Sequence, residues 1–175
     1  MKIKQIIGVL FLATLASTQM VFADDSSSFE QLKSLEGEWS GILNNTNGNS
    51  SDLKLKYTVR SNGSALLEES TETLNGEEPV EMLNIFNIQS GVLQTIHYCG
   101  LMNKPVGELV SFSNGVLSFK IDPKKSGLEI GKDAFVTSWK LSLLTEDKNK
   151  FLYEYTVINE DKTVDTASAV VTRVL

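Results

Sequence analysis

One cysteine, one histidine and two arginines are the scarce chemistry-bearing residues of this 175-residue chain, and each scarcity closes off a class of function. A lone Cys99 excludes an internal disulfide. His97 stands without a second histidine or a Cys-x-x-Cys pair, so no ligand set for a protein-only zinc site exists. Arg60 and Arg173 are the only arginines, and 16 basic residues stand against 22 acidic ones, for a net charge of −6 and a pI near 4.9. That balance is the opposite of a nucleic-acid binder's footprint. A phosphate-cradling glycine loop, a Gly-x-Ser-x-Gly elbow and a dinucleotide fingerprint are all missing, and Asp24-Asp25 and Glu146-Asp147 lack the ligand spacing of a calcium loop. Past the N-terminus, charges or glycines break every apolar stretch well short of the roughly 20 residues that span a bilayer.

The N-terminal 23 residues are the exception. Lys2 and Lys4 form a basic start, Ile6 to Ala16 an apolar run too short to span a membrane, and Val21-Phe22-Ala23 a small-residue cleavage site. This pattern predicts a signal peptide cleaved after Ala23 and a protein exported to the periplasm or secreted, with no stable membrane insertion afterwards. Cleavage removes two lysines and no acid, leaving 14 basic and 22 acidic residues, a charge of −8, on a soluble chain that disfavours anionic partners. With no cysteine after the cleavage point, no lipid is expected there. Asn44, Asn49 and Asn62 each begin an Asn-x-Ser/Thr pattern, relevant only in a glycosylating pathway.

In the mature part, Ser27-Ser28-Phe29-Glu30 has capping-box spacing, and Phe29, Leu32 and Leu35 share a helical face, predicting a short helix over 28–35 within an N-terminal segment 24–36. Everything from 37 to 175 reads as β. Leu53, Leu55, Tyr57 and Val59 alternate with Lys54, Lys56, Thr58 and Arg60, and Leu117, Phe119 and Ile121 alternate with polar residues. Asn62-Gly63, Asn75-Gly76, Asn114-Gly115 and Ser90-Gly91 supply the positive φ angles of tight hairpins. Ten antiparallel strands follow, near 38–43, 53–60, 64–74, 80–89, 92–99, 106–113, 116–122, 134–144, 150–158 and 163–174. A long up-and-down run hides its edges at least cost by closing into a barrel, here with the helix over one end, the alternative being a two-sheet sandwich. The acidic stretch Glu68, Glu69, Glu72, Glu77, Glu78 and Glu81 reads as surface charge that keeps β edges apart.

Gly37-Glu38-Trp39-Ser40-Gly41 opens the first strand, and here the chain resembles the lipocalin-like, or calycin, superfamily, whose first strand carries Gly-x-Trp. The resemblance implies a structural role for Trp39 at the closed end, with Arg173 of the last strand packed across the indole by cation–π contact. That register carries Ala167, Ala169 and Val171 inward as well.

His97-Tyr98-Cys99 followed by Asn103-Lys104-Pro105 resembles the His-Tyr-Cys…Asn-Gln-Pro pattern of an uncharacterised, mostly bacterial calycin-like family, with Lys104 in place of the glutamine. The family brings no activity with it. His97 and Cys99 lie on one strand face about 6.5–7 Å apart at Cα. A nucleophilic pair needs a contact near 3 Å and a third group, for which Asn103 is the candidate. Otherwise His97 and Asn103 hydrogen-bond the loop and Cys99 fills core space. Haem needs one axial ligand, but the related nitrobindins place theirs near the C-terminus, where this chain has no histidine.

The leading expectation is therefore a barrel binding a small apolar or amphipathic ligand, lined among His97, Tyr98, Phe119, Trp139, Tyr153 and Tyr155 on alternating strands that also carry Phe86 and Phe135. Two alternatives belong to other classes: an enzyme using His97, Cys99 and Asn103 at the barrel mouth, and a protein-interaction module of the cell envelope. Cavity volume separates the first from a packed core, since a ligand site needs about 300 Å³ or more.

Overall fold

In a computed structural model, which describes residues 24–74, 76–143 and 146–175, alternation and turn chemistry produce ten antiparallel strands and a short N-terminal helix. They are α1 (Asp25–Lys33), β1 (Gly37–Asn45), β2 (Ser50–Arg60), β3 (Ala65–Leu74), β4 (Val80–Gln89) and β5 (Val92–Tyr98), followed by β6 (Val106–Ser113) and β7 (Val116–Ile121). A one-turn helix, α2 (Pro123–Ser126), precedes β8 (Phe135–Leu143), β9 (Lys150–Ile158) and β10 (Val164–Arg173). Each strand pairs with its sequence neighbours, and β1 pairs with β10, so the sheet closes into a barrel without a free edge. The predicted signal, residues 1–23, and Asn75 of the Asn75-Gly76 turn lie outside the described residues. Among those described, no helix is long and apolar enough to cross a membrane.

Turn chemistry sets the register. Asn62 (φ 54°) and Gly63 (φ 88°) reverse the chain between β2 and β3, and Ser90 (φ 54°) and Gly91 (φ 82°) do so between β4 and β5. The first turn pairs Tyr57 with Glu68, and the second pairs Asn84 with His97.

The helix starts earlier than the capping-box spacing predicts. Asp24 is the N-cap, and no side chain caps it; Ser27 lies inside the first turn, its hydroxyl donating to the Asp24 carbonyl at 2.8 Å. Phe29, Leu32 and Leu35 are buried against the barrel end formed by the β2–β3 and β4–β5 turns. The Leu93 N–H donates to the Asp25 carboxylate at 2.7 Å, and the Lys33 ammonium donates to the Gly63 carbonyl at 3.4 Å, fixing α1 across that end. The α2 turn adds to the expected elements, and Asp122-Pro123 is its signal. The Asp122 carboxylate accepts from the Lys124 and Lys125 N–H groups, and proline at N1 has no N–H to leave unpaired.

The interior is layered. Toward α1 it is apolar, filled by Leu66, Phe86, Leu93, Leu117, Phe119 and Phe151, each burial contributing about 1.5–3 kcal/mol before entropy. Trp39 sits edge-on to Phe151 with centroids 4.8 Å apart. Its indole N–H donates to the Leu35 carbonyl at 2.8 Å, and the Arg173 guanidinium lies 4.2 Å over its ring. Arg173 also donates to the carbonyls of Glu36 (2.7 Å) and Ser34 (3.3 Å), so it ties the end of α1 to the last strand. Gly37 and Trp39 are two apart on β1 and share a face. A Cβ at Gly37 would lie 2.4 Å from the guanidinium, and φ there is +130°. The glycine of Gly-x-Trp is thus the seat of the arginine. Ala167, Ala169 and Val171 face inward on β10 and are buried in the core.

Candidate functional site

One layer above the apolar floor, four adjacent strands contribute one polar side chain each at a single level. Tyr57, Glu68, Asn84 and His97 are successive cross-strand partners on β2, β3, β4 and β5, and all four are at most 3% exposed. The Tyr57 hydroxyl donates to Glu68 Oε2 at 2.6 Å and the Asn84 amide to Glu68 Oε1 at 2.7 Å. From the opposite wall, the β9 residue Tyr153 donates to the same Oε1 at 3.0 Å. Asn84 Oδ1 lies 3.1 Å from His97 Nδ1.

This belt corrects the reading of the acidic stretch as surface charge. Glu68 is an interior carboxyl, 1% exposed, and Glu72 also faces inward, where the Tyr155 hydroxyl donates to both of its oxygens at 3.0 and 3.1 Å. Glu69, which points the other way on β3, and Glu77, Glu78 and Glu81 do face solvent. Burial pushes the Glu68 carboxyl up from the usual range, and its three donors pull it back. Burial likewise raises Glu72, and lifts the Tyr57 and Tyr153 phenols well above their ordinary value.

Above the belt, at the end opposite α1, the barrel encloses a cavity of about 310 Å³. Val80, Met82, Leu101, Val136, Trp139 and Val157 give it an apolar lining, while His97, Glu72, Tyr153, Tyr155, Ser70 and Cys99 supply its polar atoms. His97 packs edge-on to Trp139 at 4.8 Å. Its Nε2, at the far tip of the ring, is buried and has no hydrogen-bond partner among the described residues. A wider depression of about 620 Å³ lies at the helix end, bordered by Trp39, Lys148 and Arg173. There the Trp39 indole and the Arg173 guanidinium are already bonded to the carbonyls of residues 34–36, just past α1, whereas the mouth cavity is lined by a residue with an unmet group.

Of the expected ligand contacts, His97, Trp139, Tyr153 and Tyr155 line the cavity and two do not. Tyr98, adjacent to His97 on β5, points out of the barrel and is 46% exposed, as strand alternation requires. Phe119 faces inward but is buried against Phe86, 5.4 Å away in the apolar floor, and Phe86 and Phe135 are also absent from the lining. The proposed nucleophilic set does not assemble. His97 bonds Asn84 rather than Cys99, and burial raises the Cys99 thiol above its ordinary range, away from the reactive thiolate. Asn103 does not orient His97; its amide donates to the Ala134 carbonyl at 2.7 Å, joining the β5–β6 loop to the start of β8. His97 meets that loop only through its backbone, its N–H donating to the Pro105 carbonyl at 2.9 Å. Among the described residues no group of three His, Cys, Asp or Glu is placed to hold a metal ion, and His97 is the one imidazole in the sequence.

Burial without a charged partner depresses the His97 pKa to about 4. Between pH 6.5 and 4 the unfolded chain binds a proton that folded His97 refuses, so this group makes stability fall as pH falls through that window. Glu68 and Glu72, with raised values, act in the opposite sense. The comparison with His97→Gln isolates the histidine: urea unfolding of the variant is expected to lose less stability between pH 6.5 and 4.5 than the unmodified chain. Equal slopes would show that His97 titrates normally.

Solved structures with a similar fold exist. The likeness is one of fold alone. A protein of unknown function from the DUF3598 family of Nostoc punctiforme is similar over 82% of this chain, at 13% identity and a TM-score of 0.52, with this chain spanning 49% of that one. Lower similarity relates it to the S-type phycobiliprotein lyase CPES of Guillardia theta, with 5% identity, a TM-score of 0.46, and coverage of 87% of this chain and 93% of that one. A redesigned barrel, mFAP0, bound to DFHBI, gives 11% identity, a TM-score of 0.42, and coverage of 80% and 99%. No protein-family model matches the chain, and no curated protein does.

Proposed function

We propose that this protein is an exported calycin-like barrel that binds a small apolar or amphipathic molecule in its mouth cavity. One observation carries the reading: at the end away from α1 the interior is left open as about 310 Å³, and it is lined by the buried imidazole of His97, whose Nε2 has no partner among the described residues. That volume lies within the range of small-molecule sites, and an apolar lining with a few convergent polar groups is their usual composition. An unmet buried polar group costs about 1–3 kcal/mol, a cost that a ligand hydrogen bond removes.

Export is part of the proposal and rests on residues 1–23; kinship with the His-Tyr-Cys…Asn-x-Pro family rests on 97–105. Protein purified from its own compartment is expected to have lost residues 1–23 and, in native mass spectrometry, to carry a noncovalent small molecule that leaves on collisional activation. A bare mass, together with no uptake of added amphiphiles, would sink the carrier reading. The geometry favours a carrier over the mouth enzyme, because His97, Cys99 and Asn103 bond to different partners.

A further inference from the structure

We infer that the mouth cavity selects a neutral amphiphile that brings an O–H or N–H donor to His97 Nε2 and discriminates against the same body carrying a carboxylate. The inference rests on the proposed ligand-binding role and deepens it by naming the head group.

The argument is an inventory of hydrogens. Asn84 donates its amide to Glu68 Oε1 and therefore turns Oδ1, an acceptor only, toward His97. The His97 Nδ1 must then carry the ring hydrogen, which leaves Nε2 a bare lone pair. Protonation of Glu68 does not reverse this, since the proton belongs on Oε2, where the Tyr57 hydroxyl can accept, and Oε1 still accepts from Asn84 and Tyr153. The same accounting spends the donors of three further wall residues. Tyr153 gives its hydrogen to Glu68, Tyr155 gives its own to Glu72, and the Asn159 amide donates to Thr163 and Asp165. What remains is a lone pair on one side, a carboxyl on the other, and the Ser70 hydroxyl, the Cys99 thiol and the Trp139 indole N–H, all uncharged; among the described residues no lysine or arginine lines the space. A donor-headed ligand satisfies Nε2 and lays its body against Trp139. An anionic head group finds no cation, and meets Glu72.

The test uses three probes of one shape, 2-naphthol, 2-methylnaphthalene and 2-naphthoate, titrated calorimetrically into the mature chain at neutral pH. Protection of Cys99 from iodoacetamide reports occupancy independently, because that thiol lines the cavity. 2-Naphthol is expected to bind about tenfold tighter than 2-methylnaphthalene and at least about a hundredfold tighter than 2-naphthoate. In His97→Phe the first two should become equal. Should that variant fail to fold, 15N NMR of the unmodified imidazole reads the tautomer directly, with Nδ1 protonated and Nε2 bare. Equal affinities, tightest binding of 2-naphthoate, or a hydrogen on Nε2 would overturn the inference and leave the carrier reading standing. Failure of all three probes to bind or to protect Cys99 would overturn both.

Discussion

Replacing Glu68 by alanine is expected to cost the fold about 3–9 kcal/mol, because it strands three buried donors at once, each worth about 1–3 kcal/mol when left unmet. Tyr57, Tyr153 and Asn84 all give hydrogens to this carboxyl, from three strands on two sides of the barrel. The site is only 1% exposed, so the stranded donors are shielded from bulk solvent. On a domain whose total stability is typically about 5–15 kcal/mol, a loss of that size approaches unfolding at ambient temperature. Glu68→Gln makes the prediction discriminating. Its amide oxygen can accept from Asn84 and Tyr153, as Oε1 does, while its NH2 donates to a Tyr57 hydroxyl that turns to accept. The isostere also removes a buried charge that burial disfavours. It should therefore lose clearly less than the alanine variant in urea unfolding near neutral pH, about 1–3 kcal/mol for the Tyr57 hydrogen and the second amide hydrogen it leaves unmet. Equal losses for alanine and glutamine would mean that Glu68 acts through volume, and the belt would not be the cooperative unit its geometry implies.

The belt shows what was legible in the sequence and what was not. Strand number and order follow from turns whose φ requirements are local, and from alternation that is unambiguous where one face is apolar, as in Leu53 to Arg60. On β3 alternation is silent: Leu66 and Leu67 are adjacent, and the acids that follow occur in both phases. The deciding signal was nonetheless present. Counting outward from Asn62-Gly63 sets Tyr57 opposite Glu68, and counting from Ser90-Gly91 sets Asn84 opposite His97. A carboxyl facing a phenol on the dry face of β2 is an interior pair. Joining those two hairpins into one belt requires the β3–β4 register, whose connection is not a two-residue turn, and the Tyr153 contact spans 85 residues. Neither is local information. Tyr98 illustrates the converse, since alternation with His97 alone was enough to place it outside.

At the other end of the barrel, Trp39→Ala is expected to cost about 3–5 kcal/mol, the usual range for emptying a buried tryptophan site. The residue is 1% exposed, packs on Phe151, holds the Leu35 carbonyl and carries the Arg173 guanidinium on its face, so its loss also unfastens α1 from the barrel. The neighbouring glycine gives the sharper test. Gly37→Ala places a methyl at φ +130° and 2.4 Å from Arg173 Nη1. The backbone penalty is of order 1–3 kcal/mol. To it is added the cost of swinging Arg173 off the Trp39 ring and the Glu36 and Ser34 carbonyls. These contributions separate in a double-mutant cycle, because Arg173→Ala abolishes the clash but leaves the φ strain. Gly37→Ala should consequently cost less in the Arg173→Ala background than in the unmodified chain, by about 0.5–3 kcal/mol in chemical denaturation. A glycine needed only for its backbone angle would cost the same in both backgrounds; a coupled one makes Gly37, Trp39 and Arg173 a single latch, in which the first residue provides space for the third to cover the second.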